Sequence, residues 1–286
     1  MTQASPQSTN SPRLMAIFAH PDDETFGVGG IFARATAAGH PCAEVSATRG
    51  EEGEIAAGSG ATRDNLGQVR EQELRNACAI LGVTDVTFLD YIDGHLAEAD
   101  EDEAVSRIVA QLRRFRPDVV VTFAANGLYG HPDHMAVHRL ALAAIPASAD
   151  PARYPDQIAG GLAPHRVRKV YLQTVPRERL LQMIEAARRE GHDFVPGGNA
   201  ATIPVEEMGS PEAEITTVIT LTDEELSRKQ QAMQAHVTQI SPDNPFARAS
   251  VEELRQMMGF ESFILLPSPY SDRAYPTPED DLFAGL

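Results

Sequence analysis

Short apolar runs alternate with helical spacings along the first half of the chain. Residues 118–123 (DVVVTF) form an almost unbroken β-branched run, which is typical of a strand covered on both faces. The stretch from Leu66 to Leu81 carries apolar side chains at helical spacing and is followed by Gly82, so it predicts an amphipathic helix. The other predicted elements of this half are strands at 14–19, 42–48 and 86–89, and helices at 27–38 and around 105–115.

The second half of the chain is less regular. Thr222 followed by Glu225 fits a capping box and predicts a helix that carries His236. Residues 191–213 are rich in Gly and Pro and predict an irregular excursion. The remaining predicted elements are strands at 170–175, 215–221 and 260–266 and a helix at 177–189.

This order of elements predicts an α/β fold. Repeated β-α-β units give a Rossmann-like, open, mostly parallel sheet with helices on both faces, here followed by a C-terminal elaboration. We expect a disordered N-terminal tail at 1–12 and a single domain at 13–286. Within that domain, the core is expected at 13–146 and the elaboration at 165–286.

Composition narrows the range of partners. The 286 residues contain 24 Lys and Arg against 41 Asp and Glu, a formal charge of −17, which disfavours nucleic acid and anionic membrane surfaces. No apolar run approaches the roughly 20 residues needed to span a bilayer, and the polar N-terminus does not resemble a signal peptide. Cys42 and Cys78 are expected to be buried, reduced thiols. We therefore expect a cytoplasmic protein.

Polar clusters follow two of the predicted strands. His20 to Glu24 (HPDDE) comes after the strand at 14–19, and Asn126 to His134 (NGLYGHPDH) comes after the strand at 118–123. In an open α/β sheet, ligands bind beyond the carboxyl ends of the strands. If both strands are central, the two clusters face each other across one crevice.

The residue types in these clusters favour a metal site. His20 and Asp23 are three residues apart at a predicted helix entrance, and His134 from the second cluster completes a set of two histidines and one carboxylate. Such a set with an open position is the ligand pattern of catalytic zinc. A single His-Pro-Asp would more often be a turn with a helix cap, but two such motifs after buried strands of the same predicted sheet favour the metal.

The neighbouring residues suggest acid–base roles. Asp22 is free to act as the general base on a water. His131 is suited to stabilise an oxyanion or to donate a proton, held in orientation by Asp133. The spacing of His20 and Asp22 with a distant histidine also fits the non-haem iron facial triad, although those oxygenases usually have all-β folds.

The two motifs, Ala19 to Glu24 (AHPDDE) and Gly130 to His134 (GHPDH), resemble those of the LmbE-like, or GlcNAc-phosphatidylinositol de-N-acetylase (PIG-L), family of zinc deacetylases. The similarity extends over most of 14–140 and returns weakly at 235–239 (AHVTQ). The resemblance implies one zinc ion per chain, held by His20, Asp23 and His134. It implies Asp22 as base, His131 as electrostatic or acid partner supported by Asp133, and Tyr129 near the oxyanion.

Three more residues are candidate substrate contacts on the same resemblance, each with a structural alternative. Glu51 lies in a loop that such enzymes place near substrate, but the interpretation as a solvated loop charge is preferred. Arg70 is either a site residue or a solvated helix position, and His236 is either a site residue or a satisfied helix histidine.

Two further positions concern the edges of the site. Asp93, beyond the third strand, is interpreted as a turn residue before Gly94 rather than as a crevice residue. Asn126 departs from the family pattern, in which many members carry Asp before the following Gly.

The function expected from these residues is hydrolysis of an N-acetyl group from an N-acetylglucosamine (GlcNAc)-type sugar or small GlcNAc conjugate, with zinc-bound water as nucleophile. The expected partner is a small amino-sugar substrate, and homo-oligomers are possible. The alternatives are an amidase of a related thiol conjugate or natural product, and a catalytically silent sugar-binding protein.

Overall fold

The fold is built on one seven-stranded sheet in the order β3-β2-β1-β4-β5-β7-β6. It is seen in a computed structural model that describes residues 11–189, 191, 195–241 and 244–286. Strands β1 to β5 are mutually parallel, while β7 runs antiparallel to both β5 and β6. The strands are β1 Leu14–Phe18, β2 Cys42–Thr48, β3 Asp85–Tyr91, β4 Val119–Phe123, β5 Lys169–Thr174, β6 Thr217–Thr220 and β7 Phe260–Leu265. The predicted α/β fold with a mostly parallel sheet is confirmed.

The helices connect these strands and extend the C-terminal half. They are α1 Asp23–Ala37, α2 Leu66–Leu81, α3 Glu101–Phe115, α4 Gly127–Gly130, α5 Pro132–Ala149, α6 Pro155–Ala159, α7 Arg177–Arg189, α8 Asp223–Gln234, α9 Pro245–Arg248 and α10 Val251–Met258. None of the helices within the described ranges is long and apolar enough to cross a membrane.

Helix α1 begins four residues before the position expected from the apolar pattern. Asp22 precedes its first turn, and Asp23 and Glu24 lie within that turn. Acidic side chains are favourable there because they face the positive end of the helix dipole. The apolar pattern missed this turn because its residues are polar, and the consequence is that the HPDDE cluster is partly helical.

Helix α8 opens with the predicted capping box, since the side chain of Thr222 accepts from Glu225 N and the side chain of Glu225 accepts from Thr222 N. The prediction that this helix carries His236 is wrong. The helix ends at Gln234, and Thr238 bonds instead to the buried carboxylate of Glu73 through both its backbone N–H and its hydroxyl. This tertiary contact turns the chain out of the helix.

The single-domain organisation stays a prediction, and it is supported by a continuous core. The same hydrophobic cluster contains β1, β4 and residues of the C-terminal half such as Ile219, Leu226 and Phe263. The predicted burial of Cys42 and Cys78 is confirmed, and both are free thiols. Of the expected tail at 1–12, residues 1–10 lie outside the described part of the chain, as do 192–194 of the irregular stretch.

A buried ion pair ties α1 to the C-terminal half. Lys229 Nζ on α8 lies 2.6 Å from Glu261 Oε1 on β7, and it also donates to the carbonyl oxygen of Phe26. The carboxylate of Glu261 accepts from the backbone N–H groups of Gly30 and Ile31. A Cβ at Gly30 would overlap the side chain of Leu221, so glycine permits this close approach. The pair therefore fixes the middle of α1 from two later elements.

Candidate metal centre and active site

The candidate site lies where the connections of the sheet change direction. After β1 the chain passes to β2 on one side, whereas β4 pairs with β1 on the other side. Because β1 and β4 are parallel, their carboxyl ends meet at the same edge, which is the usual place for a ligand crevice. The two sequence motifs follow these strands directly, so the fold brings them together.

Three side chains converge at this edge. Nδ1 of His20 lies 3.3 Å from Nε2 of His134, and the carboxylate oxygens of Asp23 lie 3.6 Å from the first atom and 3.4 Å from the second. For ligands about 2.0–2.1 Å from a tetrahedral zinc, the expected separation is about 3.3 Å. The spacing of these atoms therefore fits a single divalent ion.

Hydrogen bonds leave the correct nitrogen of each histidine free for an ion. Nε2 of His20 lies 2.9 Å from Asp93 Oδ1 and 3.2 Å from Asp133 Oδ2. Nδ1 of His134 lies 3.2 Å from the carbonyl oxygen of Gly127. Metal-binding histidines typically donate their other N–H to such acceptors, which fixes the tautomer and the ring orientation. Both rings are thus held as ligands would be.

The electrostatics of the cluster favour a cation between these side chains. Burial opposes protonation of His20, but hydrogen bonds to Asp133 and Asp93 raise its pKa to about 10. Burial also opposes ionisation of Asp93, yet the hydrogen bond to His20 lowers the pKa of this carboxyl to about 2. For His134, burial and the nearby charge of His20 lower the pKa well below its usual range, which maintains the neutral form that a metal requires.

Asp22 is held in a backbone conformation that is rare for a side-chain-bearing residue, with φ 110° and ψ −27°. Its carbonyl oxygen accepts from Thr25 N and Oγ1, at 3.0 and 2.8 Å. Its carboxylate lies 3.3 Å from Nη2 of Arg70. Burial raises the pKa of Asp22, and the guanidinium of Arg70 works in the opposite direction. Such strain persists where the surroundings fix it, and it concentrates at functional sites.

Arg70 is buried beside the turn of Asp22 and is not a solvated helix position. Only 3% of its surface is exposed, and its two terminal nitrogens donate to the carbonyl oxygens of Gly50 and Pro21, at 2.7 and 2.6 Å. A Cβ at Gly50 would overlap the guanidinium. Arg70 therefore fixes the loop after β2 and the turn that carries Asp22.

His236 is fully buried and belongs to the same region. Its Nε2 lies 2.8 Å from Oε1 of Glu24, whose Oε2 accepts from the backbone N–H of Asp22 at 2.9 Å. Burial lowers the pKa of His236, but the charge of Glu24 outweighs this and raises it overall. His236 thus supports the loop of Asp22 from behind.

The second motif places His131 and Tyr129 beside the three candidate ligands. The rings of His131 and His20 are 4.7 Å apart, and the ring of Tyr129 is 5.1 Å from that of His134. The nitrogens of His131 also lie within 4.8 Å of those of His20 and His134, but Nδ1 accepts from Asp133 N at 3.2 Å. Burial lowers the pKa of His131, and the nearby charge of His20 lowers it further. The ring is therefore neutral, with Nε2 as its donor.

The carboxylate of Asp133 does not hold His131 as expected. It accepts from Gly94 N at 2.7 Å and Leu96 N at 3.1 Å, and it pairs with Nε2 of His20. Asp133 is the second residue of α5, so its side chain extends away from the ring of His131 and its backbone N–H contacts that ring instead. The interaction expected at His131 is therefore found at His20.

Asp93 is a further candidate site residue, outside the two motifs. The sequence favours a turn residue at this position, but Asp93 is buried and hydrogen-bonds to His20. Its position beyond the carboxyl end of β3, at the same edge as the two motifs, is the signal that could have identified it. Glu51, in contrast, is half-buried, and its carboxylate accepts from Arg49 N.

Asn126 has a contact that its amide makes possible. Its Nδ2 donates to the carbonyl oxygens of Glu207 and Gly209, at 3.0 and 2.7 Å. A carboxylate cannot donate to a carbonyl oxygen, so an aspartate here would lose both bonds. The departure from the family pattern thus connects the second motif to the C-terminal elaboration.

A cleft of about 370 Å³ opens beside the cluster. Asp22, Asp23, Tyr129 and His134 contribute to its lining, and α7 and α10 supply part of the opposite wall. The candidate ligands therefore border a space that a small molecule can enter, which is the arrangement expected of an active site.

Comparisons with known proteins agree with this arrangement. Residues 15–145 match the family model described as GlcNAc-PI de-N-acetylase. The chain is 38% identical, over 97% of its length and 99% of the relative's, to a 1D-myo-inositol 2-acetamido-2-deoxy-α-D-glucopyranoside deacetylase of Geodermatophilus obscurus. The relative is therefore similar along the whole chain, including the C-terminal elaboration.

Solved structures share the fold at lower sequence identity. An N,N'-diacetylchitobiose deacetylase from Pyrococcus horikoshii matches 93% of this chain and 88% of its own, with a TM-score of 0.65 and 20% identity. GalB, a 4-carboxy-2-hydroxymuconate hydratase from Pseudomonas putida KT2440, matches 93% of this chain and 100% of its own, with a TM-score of 0.59 and 18% identity. The same fold thus hosts more than one reaction.

Proposed function

The chain belongs to the GlcNAc-PI de-N-acetylase (PIG-L) family, and from this premise we propose that it hydrolyses the N-acetyl group of 1D-myo-inositol 2-acetamido-2-deoxy-α-D-glucopyranoside, here called GlcNAc-inositol. The chain is a deacetylase of the GlcNAc-conjugate type, and the inositol conjugate is the more specific proposal. The observation that carries it is the 38% identity to a deacetylase of that compound over 97% of this chain.

Zinc, one ion per chain, is the proposed cofactor, held by His20, Asp23 and His134. The donor set of two histidines and one carboxylate, with separations of 3.3–3.6 Å between the candidate ligand atoms, supports this choice. When bound in such a site, zinc lowers the pKa of a water molecule to about 7 and polarises a carbonyl oxygen. The α/β fold argues against the non-haem iron oxygenase alternative, whose members usually have all-β folds.

We propose Asp22 as the general base. Its carboxylate lines the cleft next to the candidate ligand Asp23 and is oriented by Arg70, so it is placed to accept a proton from the attacking water. The other carboxylates of the cluster are already engaged, because Asp93 and Asp133 accept from His20 and from backbone N–H groups.

His131 and Tyr129 are proposed to stabilise the oxyanion that forms when water attacks the acetamide. The neutral ring of His131 has Nε2–H available as a donor, because Nδ1 accepts from Asp133 N. Burial raises the pKa of Tyr129, so its hydroxyl stays protonated and can donate as well. The leaving amine then takes a proton from Asp22 or from His131.

Glu51, Arg70 and His236 were the candidate substrate contacts. We now propose that Arg70 and His236 act by positioning the turn of Asp22, whereas Glu51 lies on the polar loop at the side where the sugar would enter. The small amino-sugar conjugate remains the proposed partner. Homo-oligomerisation and a cytoplasmic location stay predictions.

The test is acetate release from GlcNAc-inositol, diacetylchitobiose, GlcNAc-malate and GlcNAc, after chelation and after addition of zinc. We expect zinc-dependent release, fastest from GlcNAc-inositol. Release that is fastest from another compound would overturn the specific substrate. No release from any of them by the zinc-loaded protein, with hydration of 4-carboxy-2-hydroxymuconate instead, would overturn the deacetylase assignment.

A further inference from the structure

The cleft beside the candidate ligands is mostly apolar away from them. Its lining includes Leu180, Met183, Phe246, Met257, Met258 and Phe260. Phe26 on α1 is 40% exposed and contacts Phe246 edge-on, with ring centroids 5.8 Å apart. Half-buried aromatic and methionine side chains around a cavity favour an apolar occupant, because burial against them removes its surface from water.

The charged residues in this wall are already paired. Lys229 and Glu261 bond to each other and to the backbone of α1. Arg179 donates to the carbonyl oxygen of Gln256, and its guanidinium lies 4.3 Å from the ring centroid of Phe260. A sugar or polyol would need free donors and acceptors for its hydroxyls. These three side chains are engaged in this way, and the polar lining residues Gln173, Thr174 and Ser262 lie on strands β5 and β7. The wall formed by α7, α9 and α10 therefore suits a hydrocarbon better than a sugar.

The other side of the candidate ligands is polar. The loop after β2 carries the exposed residues Glu52 and Glu54, and Asp93 accepts from Glu52 N at 3.1 Å. A secondary amide is trans, so its nitrogen substituent and its acyl carbon extend in opposite directions from the amide bond. If the sugar lies against the polar loop, the acyl group extends into the apolar cleft.

We propose that this cleft receives the acyl chain of the substrate and that the enzyme hydrolyses N-acyl groups longer than acetyl from the same glucosamine conjugate. The inference rests on the proposed function and extends it. The reaction is the same hydrolysis: water adds to the amide carbonyl, the C–N bond breaks, and the products are the free amine and the corresponding carboxylic acid. The acyl chain alone differs.

The test compares N-acetyl, N-butyryl and N-hexanoyl glucosaminyl-inositol with the zinc-loaded enzyme, measuring appearance of the free amine. We expect kcat/KM to rise by up to about four-fold for each methylene that enters the cleft. A hexanoyl substrate cleaved no faster than the acetyl substrate would overturn this inference and leave the proposed function intact. No amine from any of the three would overturn the proposed function.

Substitutions in the cleft wall test whether the dependence of kcat/KM on acyl-chain length arises in the cleft. Met183→Trp narrows it, and we expect the hexanoyl-to-acetyl ratio of kcat/KM to fall at least ten-fold. The matched control, Val218→Trp, places the same side chain at a 43% exposed position outside the cleft lining and should leave the ratio unchanged. An unchanged ratio in Met183→Trp, with normal thermal unfolding, would overturn the assignment. If that variant fails to fold, Met257→Trp serves as the second test of the same wall.

An alkyl aglycone is the other possible apolar occupant. Octyl N-acetylglucosaminide, which carries a long aglycone but only an acetyl group, tests whether the aglycone and not the acyl chain occupies the cleft. Octyl-dependent acceleration that Met183→Trp abolishes, together with no acceleration by hexanoyl, would overturn the acyl assignment in favour of the aglycone.

Discussion

Nε2 of His236 lies 2.8 Å from Oε1 of Glu24, although the two residues are 212 positions apart in the chain. Both side chains are fully buried. The second oxygen of Glu24 accepts from the backbone N–H of Asp22, the proposed base. This contact connects the region after α8 with the strained turn at the start of α1.

Removing His236 should destabilise the protein. His236→Ala leaves the carboxylate of Glu24 buried without its partner, and breaking one side of a buried pair typically costs about 3–5 kcal/mol. Urea unfolding measures the change in the free energy of unfolding. The double variant Glu24→Ala/His236→Ala should lose less than the sum of the single variants, because the second substitution removes the unpaired charge.

A surface pair provides the control. Arg114→Ala removes the exposed contact with Asp85 and should change stability by no more than about 1 kcal/mol. Additive losses at Glu24 and His236 would contradict the proposed coupling.

Asp22→Asn should abolish most activity while metal binding persists. The amide cannot accept the proton of the attacking water, and loss of a general base typically costs about 10²–10⁴-fold in rate. The measurement is kcat on GlcNAc-inositol together with bound zinc by elemental analysis. His134→Ala is the comparison, and it should lose both metal and activity. Near-native turnover in Asp22→Asn would exclude Asp22 as the base.

Lys229→Met should destabilise the fold more than Glu261→Gln. The first substitution leaves Glu261 as a buried carboxylate without its ammonium partner. The second keeps an oxygen that can accept from Gly30 N or Ile31 N. We expect a loss of about 3–5 kcal/mol for Lys229→Met in chemical unfolding. A larger loss for Glu261→Gln would show that the backbone bonds, and not the ion pair, dominate.

The stability of the protein should depend on pH through His165. Burial lowers the pKa of this histidine, although its Nε2 lies 2.7 Å from the carbonyl oxygen of Pro117. The folded pKa is thus below the unfolded value of about 6.5, so the unfolded chain takes up the proton first as pH falls. Stability contributed by neutral His165 is present above about pH 6.5 and is lost below it. His165→Gln should flatten this dependence by at most about 1.4 kcal/mol per pH unit.

His95 is a control, because its contribution to stability depends on pH in the opposite direction. Its hydrogen bond to Glu98 raises its pKa, so its contribution is present at low pH and disappears as pH rises. The pH dependence of stability between pH 5 and 8 should therefore change in opposite directions in His165→Gln and in His95→Gln. Parallel changes would contradict the assignment.

The sheet was predictable because strands covered on both faces have continuous apolar sequences. The run at 118–123 became β4, and the stretch from Leu66 to Leu81 became α2 with the same bounds. The start of α1 was not predictable in this way, because its first turn consists of acidic residues that serve the site. The end of α8 depends on the contact between Thr238 and Glu73, which are 165 residues apart and have no local signal.

The site was predicted where chemistry and spacing coincide. The two motifs identified the three candidate ligands and Asp22, and the fold brings them together. Asp93 was missed because a lone aspartate before a glycine is typical of a turn. The carboxylate of Asp133 was assigned to the wrong histidine because neighbours in sequence are not neighbours on the first turn of a helix.

The bonds from Glu261 and Lys229 to α1 have a consequence for synthesis of the protein. Helix α1 leaves the ribosome early, but the carboxylate that binds its Gly30 N–H belongs to a residue 231 positions later. Folding during translation generally proceeds from the N-terminus. Here we expect helix α1 to complete its contacts only when nearly the whole polypeptide has emerged, so that a nascent chain cannot act as a hydrolase before its translation is almost finished.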